Sequence, residues 1–178
     1  SNGNFNAATI QAQTVMSSVN QHDSVLAIMP IFHGFGLSVS INDVLSFGAK
    51  VVLIPTFKAS EFDKLLTKYK PSILVGVPTL FEALTTNERM KDVNLSHVKF
   101  VVSGGDTLSK ARINKINDFL HEHGANANLL QGYGMTEAVA AVCLDQQVAS
   151  RPGTIGIPFP SNYIKIVKPG TDEEVGID

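Results

Sequence analysis

The sequence predicts an α/β fold: an open, mostly parallel sheet with helices on both faces, ending in a small antiparallel β piece. Three observations predict it. Short apolar runs rich in β-branched residues alternate with longer segments whose apolar residues recur at helical spacing, the pattern of repeated strand–helix units. Glycine-bearing stretches at 33–36, 103–105 and 131–134 each fall directly after a predicted strand. They should therefore meet along one edge of the sheet, where such folds hold ligands. Finally, 178 residues can bury a proper core and suit one domain or one lobe of a larger one. Residues 1–144 are expected to form the α/β part, and 145–178 a loop and the start of the antiparallel part.

The elements follow in order. Residues 6–21 are polar and alanine-rich and fit a surface helix anchored by Ile10, Val15 and Val19. Ser24 to Met29 reads as a buried strand closed by Pro30, which cannot continue a central ladder. Leu37, Ile41, Val44 and Leu45 keep helical spacing up to Gly48. Val51 to Ile54 is a strand stopped by Pro55. A helix from Ser60 carries the stripe Phe62, Leu65, Leu66 and Tyr69, with Ser60 and Asp63 in a capping-box pattern. Pro71 stops it, Ile73 to Val77 is the next strand, and Pro78 opens a helix carrying Leu80, Phe81 and Leu84. Val98 to Val102 is a strand running into Ser103-Gly104-Gly105. A helix from Ser109 uses Ile113, Ile116, Phe119 and Leu120 and ends at His121-Glu122-His123-Gly124. Those histidines lie two apart and face different sides of a helix, so charge at its C-terminus explains them better than a metal. Ala127 to Leu130 and Val139 to Leu144 are strands, and 145–161 is loop-like. Tyr163 to Val167 is a further strand, then Pro169-Gly170-Thr171-Asp172 a turn, with a hairpin partner from Glu174.

The chemistry is concentrated in Gln131-Gly132-Tyr133-Gly134-Met135-Thr136-Glu137. Two glycines let the backbone bend and approach a ligand, while Tyr133 presents a flat face. A hydroxyl and a carboxylate follow at Thr136 and Glu137. Ring for a base, hydroxyl for a phosphate and carboxylate for magnesium together suit a nucleotide. The other reading is an ordinary strand-to-helix turn whose Thr136 caps the next helix. His33, between Phe32 and Phe35, is on composition alone a packing residue. Cys143, the single cysteine, sits in an apolar run and reads as a buried structural thiol.

The heptapeptide resembles the adenine-binding signature of the AMP-forming acyl-adenylate synthetases, the superfamily of acyl-CoA ligases, luciferases and peptide-synthetase adenylation domains. Pro30-Ile31-Phe32-His33-Gly34-Phe35-Gly36, Ser103-Gly104-Gly105-Asp106-Thr107-Leu108 and Arg151-Pro152-Gly153-Thr154-Ile155-Gly156-Ile157-Pro158 resemble the same family in the same order, from about Asp23 onward. The resemblance implies the central part of an acyl-CoA synthetase-like N-terminal domain, using ATP or AMP, Mg2+ and coenzyme A. It implies that Gly104, Gly105, Asp106, Gln131, Gly132, Tyr133, Gly134 and Met135 hold the nucleotide. Thr136 would contact the α-phosphate, Glu137 would hold magnesium, and His33, Phe35, Gly105 and Gly132 would border the acid. The family more often has Ala at the place of Asp106. Its Ser/Thr/Gly-rich phosphate loop, ribose aspartate and lysine-bearing C-terminal domain have no counterpart here, so a piece of a longer chain is expected, inactive alone. Amino-acid-activating members carry Phe-Asp where Phe32-His33 stands and a proline where Met135 stands. No acid lies between Asp23 and Asp43. Both differences favour an uncharged acyl group, fatty or aryl, and transfer to coenzyme A. A fatty-acyl-AMP ligase, an amino-acid adenylation domain and a non-catalytic nucleotide-binding module are the alternatives.

Composition excludes other classes. Lys and Arg total 14 against 16 Asp and Glu, a net charge of −2, with no nucleic-acid footprint. No apolar run approaches membrane-span length and no basic-then-apolar segment opens the chain, so a soluble cytoplasmic protein is expected.

Overall fold

A computed structural model describes residues 1–176. Seven strands form one sheet in the order β2-β1-β3-β4-β5-β6-β7. They are β1 Ser24–Ala27, β2 Lys50–Leu53, β3 Ile73–Gly76, β4 Phe100–Ser103, β5 Leu129–Gly134, β6 Ala141–Leu144 and β7 Ile157–Pro158. The first five are parallel; β6 and β7 add antiparallel at the β5 edge. The chain steps outward from β1 to β2 and returns to the other side of β1 at β3. That reversal opens a crevice at the carboxyl ends of the strands.

Alternation along each strand divides the core into two layers. Leu26, Leu74, Val101 and Leu129 face α3 (Phe62–Tyr69), α4 (Pro78–Thr86) and α5 (Lys110–Glu122). Val25, Ile73, Val75, Val102 and Leu130 face α1 (Asn2–Val15) and the helix that follows β1. That helix begins as a π-helix, Phe35–Asn42, and ends as α2, Asp43–Ser46. The α5 start and the Pro78 helix start are as expected: the Ser109 hydroxyl accepts the Arg112 N–H, and Pro78 occupies the first turn of α4.

Several expectations shift. Helix α1 begins at Asn2 and stops at Val15, where Met16 leaves helical dihedrals (φ −102°, ψ 39°); beyond it the Val19 N–H turns back to the Met16 carbonyl and an Asp23 carboxylate accepts the Asn20 N–H. Its buried residues are Thr9 and Ala12, while Ile10 is 63% exposed. Small residues suffice because α1 packs closely on α2. Leu37 and Leu45 also face outward, and Ser38, Val39, Ser40, Asp43 and Val44 face inward. A π-helix bonds five residues back, widening each turn and moving the buried stripe away from 3.6-residue spacing. Strand β1 ends at Ala27, since the Ile28 N–H turns to the Leu26 carbonyl instead of the ladder. The Ser60 cap does not form: Glu61 is the N-cap of α3, without a side-chain bond. Strand β5 continues through Gly134 rather than ending at Leu130. Tyr163 to Ile166 forms no strand; the expected hairpin shrinks to the Val167–Glu174 bridge, flanked by the Val175 N–H on the Ile166 carbonyl at 2.8 Å and the Lys168 N–H on the Glu173 carbonyl at 2.9 Å. Of the expected hairpin partner, Ile177 and Asp178 lie outside the described residues.

His123 places its ring nitrogens 2.8 Å from the Phe119 carbonyl and 3.0 Å from that of Met90, and its ring lies on Phe119. Among the described residues no three His, Cys, Asp or Glu side chains form a metal group. Burial pushes the Cys143 thiol up, which makes it a poor nucleophile. No helix of the described residues is long and apolar enough to cross a membrane.

Candidate functional site

The glycine-bearing stretches do converge. They surround a cavity of about 240 Å³ at the carboxyl edge of β1, β4 and β5. After β1 come His33, Gly34 and Phe35; after β4, Gly104 and Gly105; from the end of β5, Gly132 to Thr136. Ala12 of α1, Met16, Val39 and Asp43 also line it.

Local chemistry shapes each wall. The Gly104 N–H reaches the Gly76 carbonyl at 3.1 Å, and Gly105 then turns with φ +85°, open to glycine without strain. A bulge between Tyr133 and Gly134 turns β5 out of register just where it meets the cavity. Tyr133 keeps 40% of its surface exposed there. Beyond it Val139 adopts φ +73° and ψ −56°, with the Ala140 N–H bonded to the Ala138 carbonyl at 3.0 Å. This is a tight three-residue turn of the rare positive-φ kind, strained for a β-branched residue. It presses the Val139 carbonyl against Gly34, where a Cβ would collide with it.

The polar groups are few. His33 Nδ1 accepts the Phe35 N–H at 3.1 Å, so a neutral His33 carries its proton on Nε2 and offers a donor. Thr136 does not cap the short turn Thr136–Ala138, whose N-cap is Met135. Its hydroxyl makes no side-chain hydrogen bond among the described residues. Asp43, 5% exposed, was not foreseen as a cavity residue. Burial pushes its carboxyl up to about 6, against the pull of hydrogen bonds from Thr9 and Ser38.

A family profile described as "AMP-binding enzyme" matches residues 1–178. The chain belongs to the AMP-binding enzyme family. It is 35% identical over 157 residues to a long-chain-fatty-acid–CoA ligase of Haemophilus influenzae, covering 86% of this chain and 27% of the relative. It is 30% identical over 179 residues to a probable 4-coumarate–CoA ligase 1 of Dictyostelium discoideum, covering 99% and 32%. This AMP-binding chain thus spans about a third of the length of the curated relatives it matches. A crystal structure of an anthranilate CoA ligase in complex with anthranoyl-AMP shares the fold at TM-score 0.87, with 21% identity, over 97% of this chain and 33% of that one.

Within this AMP-binding chain, three of the anticipated site residues stand outside the cavity lining. Asp106 is exposed and accepts the Thr107 N–H at 2.7 Å. Gln131, 8% exposed, lies on the same face of β5 as Leu129, away from the cavity, and its Oε1 has no partner among the described residues. Glu137 is exposed beside Thr136. A lone carboxylate fits a magnesium ion that arrives on substrate phosphates, because Mg2+ takes one or two carboxylates plus phosphate oxygens and keeps water. It does not fit a resident cage.

Proposed function

We propose that this chain is the adenosine- and acid-binding part of a longer ATP-dependent, AMP-forming acid–CoA ligase, acting on a fatty or aryl acid. The observation that carries the reading is the meeting of the three glycine-bearing stretches on one cavity. The names of the fatty-acid–CoA and coumarate–CoA ligase relatives support it. In this reading the Tyr133 ring stacks on adenine, and Gly104 and Gly105 let backbone lie close to the adenosine. The Thr136 hydroxyl donates to the α-phosphate, and Glu137 would hold magnesium, which neutralises phosphate charge when bound. His33 Nε2–H and Phe35 border the acid. The acid's carboxylate oxygen attacks the α-phosphorus, the bond to the β-phosphate oxygen breaks and pyrophosphate leaves. A thiolate then displaces AMP from the acyl carbon. The acid is ionised near neutral pH, so no base is needed for the first step.

The test is acid-dependent exchange of pyrophosphate into ATP by the full-length protein, followed by thioester formation with coenzyme A. Exchange with fatty or aryl acids is expected, and Glu137→Gln should lower it while leaving the thermal midpoint in place. Adenylate without thioester would make the protein an acyl-AMP ligase. No exchange with any acid would leave a nucleotide-binding module only.

A further inference from the structure

We infer that Asp43 determines specificity in the acid pocket, selecting acids that carry a hydrogen-bond donor, a hydroxyl or amino group, at the end remote from the carboxylate. The inference rests on the ligase reading above and deepens it.

Phe35, Val39 and Asp43 line the cavity at intervals of four residues. The π-helix sets this stripe, since the Asp43 N–H bonds the Ser38 carbonyl five residues back. Asp43 therefore lies about two turns along the helix from Phe35 on the same cavity-lining stripe. An acid with its carboxylate near His33 would bring its far end toward Asp43. The walls there are apolar: Ala12, Met16, Val39 and Leu144.

Hydrogen-bond geometry fixes what Asp43 has left to offer. Asn42 Nδ2 donates to Thr9 Oγ1 at 2.6 Å, so the Thr9 hydroxyl spends its one proton on Asp43 Oδ1, 2.8 Å away. The Ser38 hydroxyl approaches the same Oδ1 at 3.5 Å. Oδ2 takes no hydrogen bond among the described residues, and no lysine or arginine lines the cavity. A carboxyl kept only to tie α1 to α2 needs one oxygen for Thr9. The second is not among the fully buried unpaired atoms, so it opens to the cavity as a free acceptor in otherwise apolar surroundings. The described residues supply no donor to it, so a ligand's hydroxyl or amino group can take that place.

The test uses the full-length enzyme and straight-chain acids of equal length ending in methyl, hydroxyl or amino groups, compared by kcat/KM for pyrophosphate exchange. Wild type should favour a donor-bearing acid at least tenfold over its methyl analogue at one length or more. Asp43→Leu should reverse that order. Asp43→Asn, which keeps a polar group but no charge, should retain the hydroxyl preference and lose the amino one; it decides alone if the Leu variant does not fold. Thr9→Val should lower the thermal midpoint and keep the wild-type order, which a merely structural carboxyl would not predict. A wild-type preference for methyl-ended acids at every length overturns the inference, as does an unchanged order in both Asp43 variants. In either case exchange still occurs and the ligase reading stands. Absence of exchange with every acid removes that reading and this one together.

Discussion

Two buried aspartates, Asp23 and Asp43, show how differently one residue type can be held. Asp23 is buried where β1 begins, and burial alone would raise its pKa. The hydrogen bond from Lys99 Nζ at 2.7 Å, the Asn20 N–H, Ser72 and the Lys99 charge outweigh burial, and the net effect lowers it. Asp43 has only neutral partners, and burial wins. The two therefore act in opposite directions on stability. Asp23 contributes stability above its unfolded pKa that is lost as pH falls through its folded value. Asp43 contributes stability below 3.8 that is lost as pH rises through about 6. A rise from 3.8 to about 6 corresponds to on the order of 3 kcal/mol. Asp43→Asn should therefore gain on wild type between pH 4 and 7, read as the difference in thermal midpoint across that range; a difference that stays flat would deny the burial effect. Tyr133 supports a prediction of another kind. Base–aromatic stacking is worth about 1–3 kcal/mol, so Tyr133→Ala in the full-length protein should weaken ATP binding by that amount in calorimetric titration. Unchanged affinity would remove Tyr133 from the nucleotide site.

At the scale of elements, the turns matter more than the strands. Gly34 has an ordinary φ, so what it lacks is space: a methyl there strikes the Val139 carbonyl. Overpacking of this kind typically costs about 1–3 kcal/mol. Gly34→Ala should lower stability by that much and loosen the Val139 turn, measurable as faster amide exchange from Ala138 to Ala140. A variant melting like wild type would show that the turn yields freely. The strands and the helices α3, α4 and α5 were legible because apolar periodicity and proline or serine punctuation agree there. The glycine convergence was legible for the same reason, since each motif follows a strand that periodicity alone reveals. The π-helix was not. Leu37 and Leu45 fit a 3.6-residue stripe, and nothing in the residue types announces hydrogen bonds five back, so the inward turn of Asp43 stayed hidden. Strand β5 running on through Gly132 and Gly134 was masked by glycine's poor strand propensity. Exposed Tyr163 has strand character but no backbone partner among the described residues, and Ile166 has only the Val175 N–H.

For the whole molecule, the seven-stranded sheet would carry, in the proposed reading, the nucleotide shelf and one wall of the acid pocket, and alone these should achieve little. The chain spans 27–32% of the length of the relatives quoted above. Among its described residues no acidic group could cage a metal, and its sequence carries no glycine-rich phosphate loop of the Walker type. In-line attack at the α-phosphorus depends on holding the leaving β- and γ-phosphates in position and neutralising their charge. Tyr133, Thr136 and Glu137 touch only the adenosine end and the α-phosphate in the proposed reading. Residues of one site act as a unit, so a part of the set yields far less than its share of the rate. The purified chain, incubated with ATP, magnesium, coenzyme A and fatty and aryl acids, should release no pyrophosphate above the acid-free blank. Joined to the remaining sequence of its full-length protein, the same residues should support exchange. Acid-dependent release by the isolated chain would mean that this lobe positions all three phosphates itself, and would move the search for their ligands to the exposed loop around Arg151.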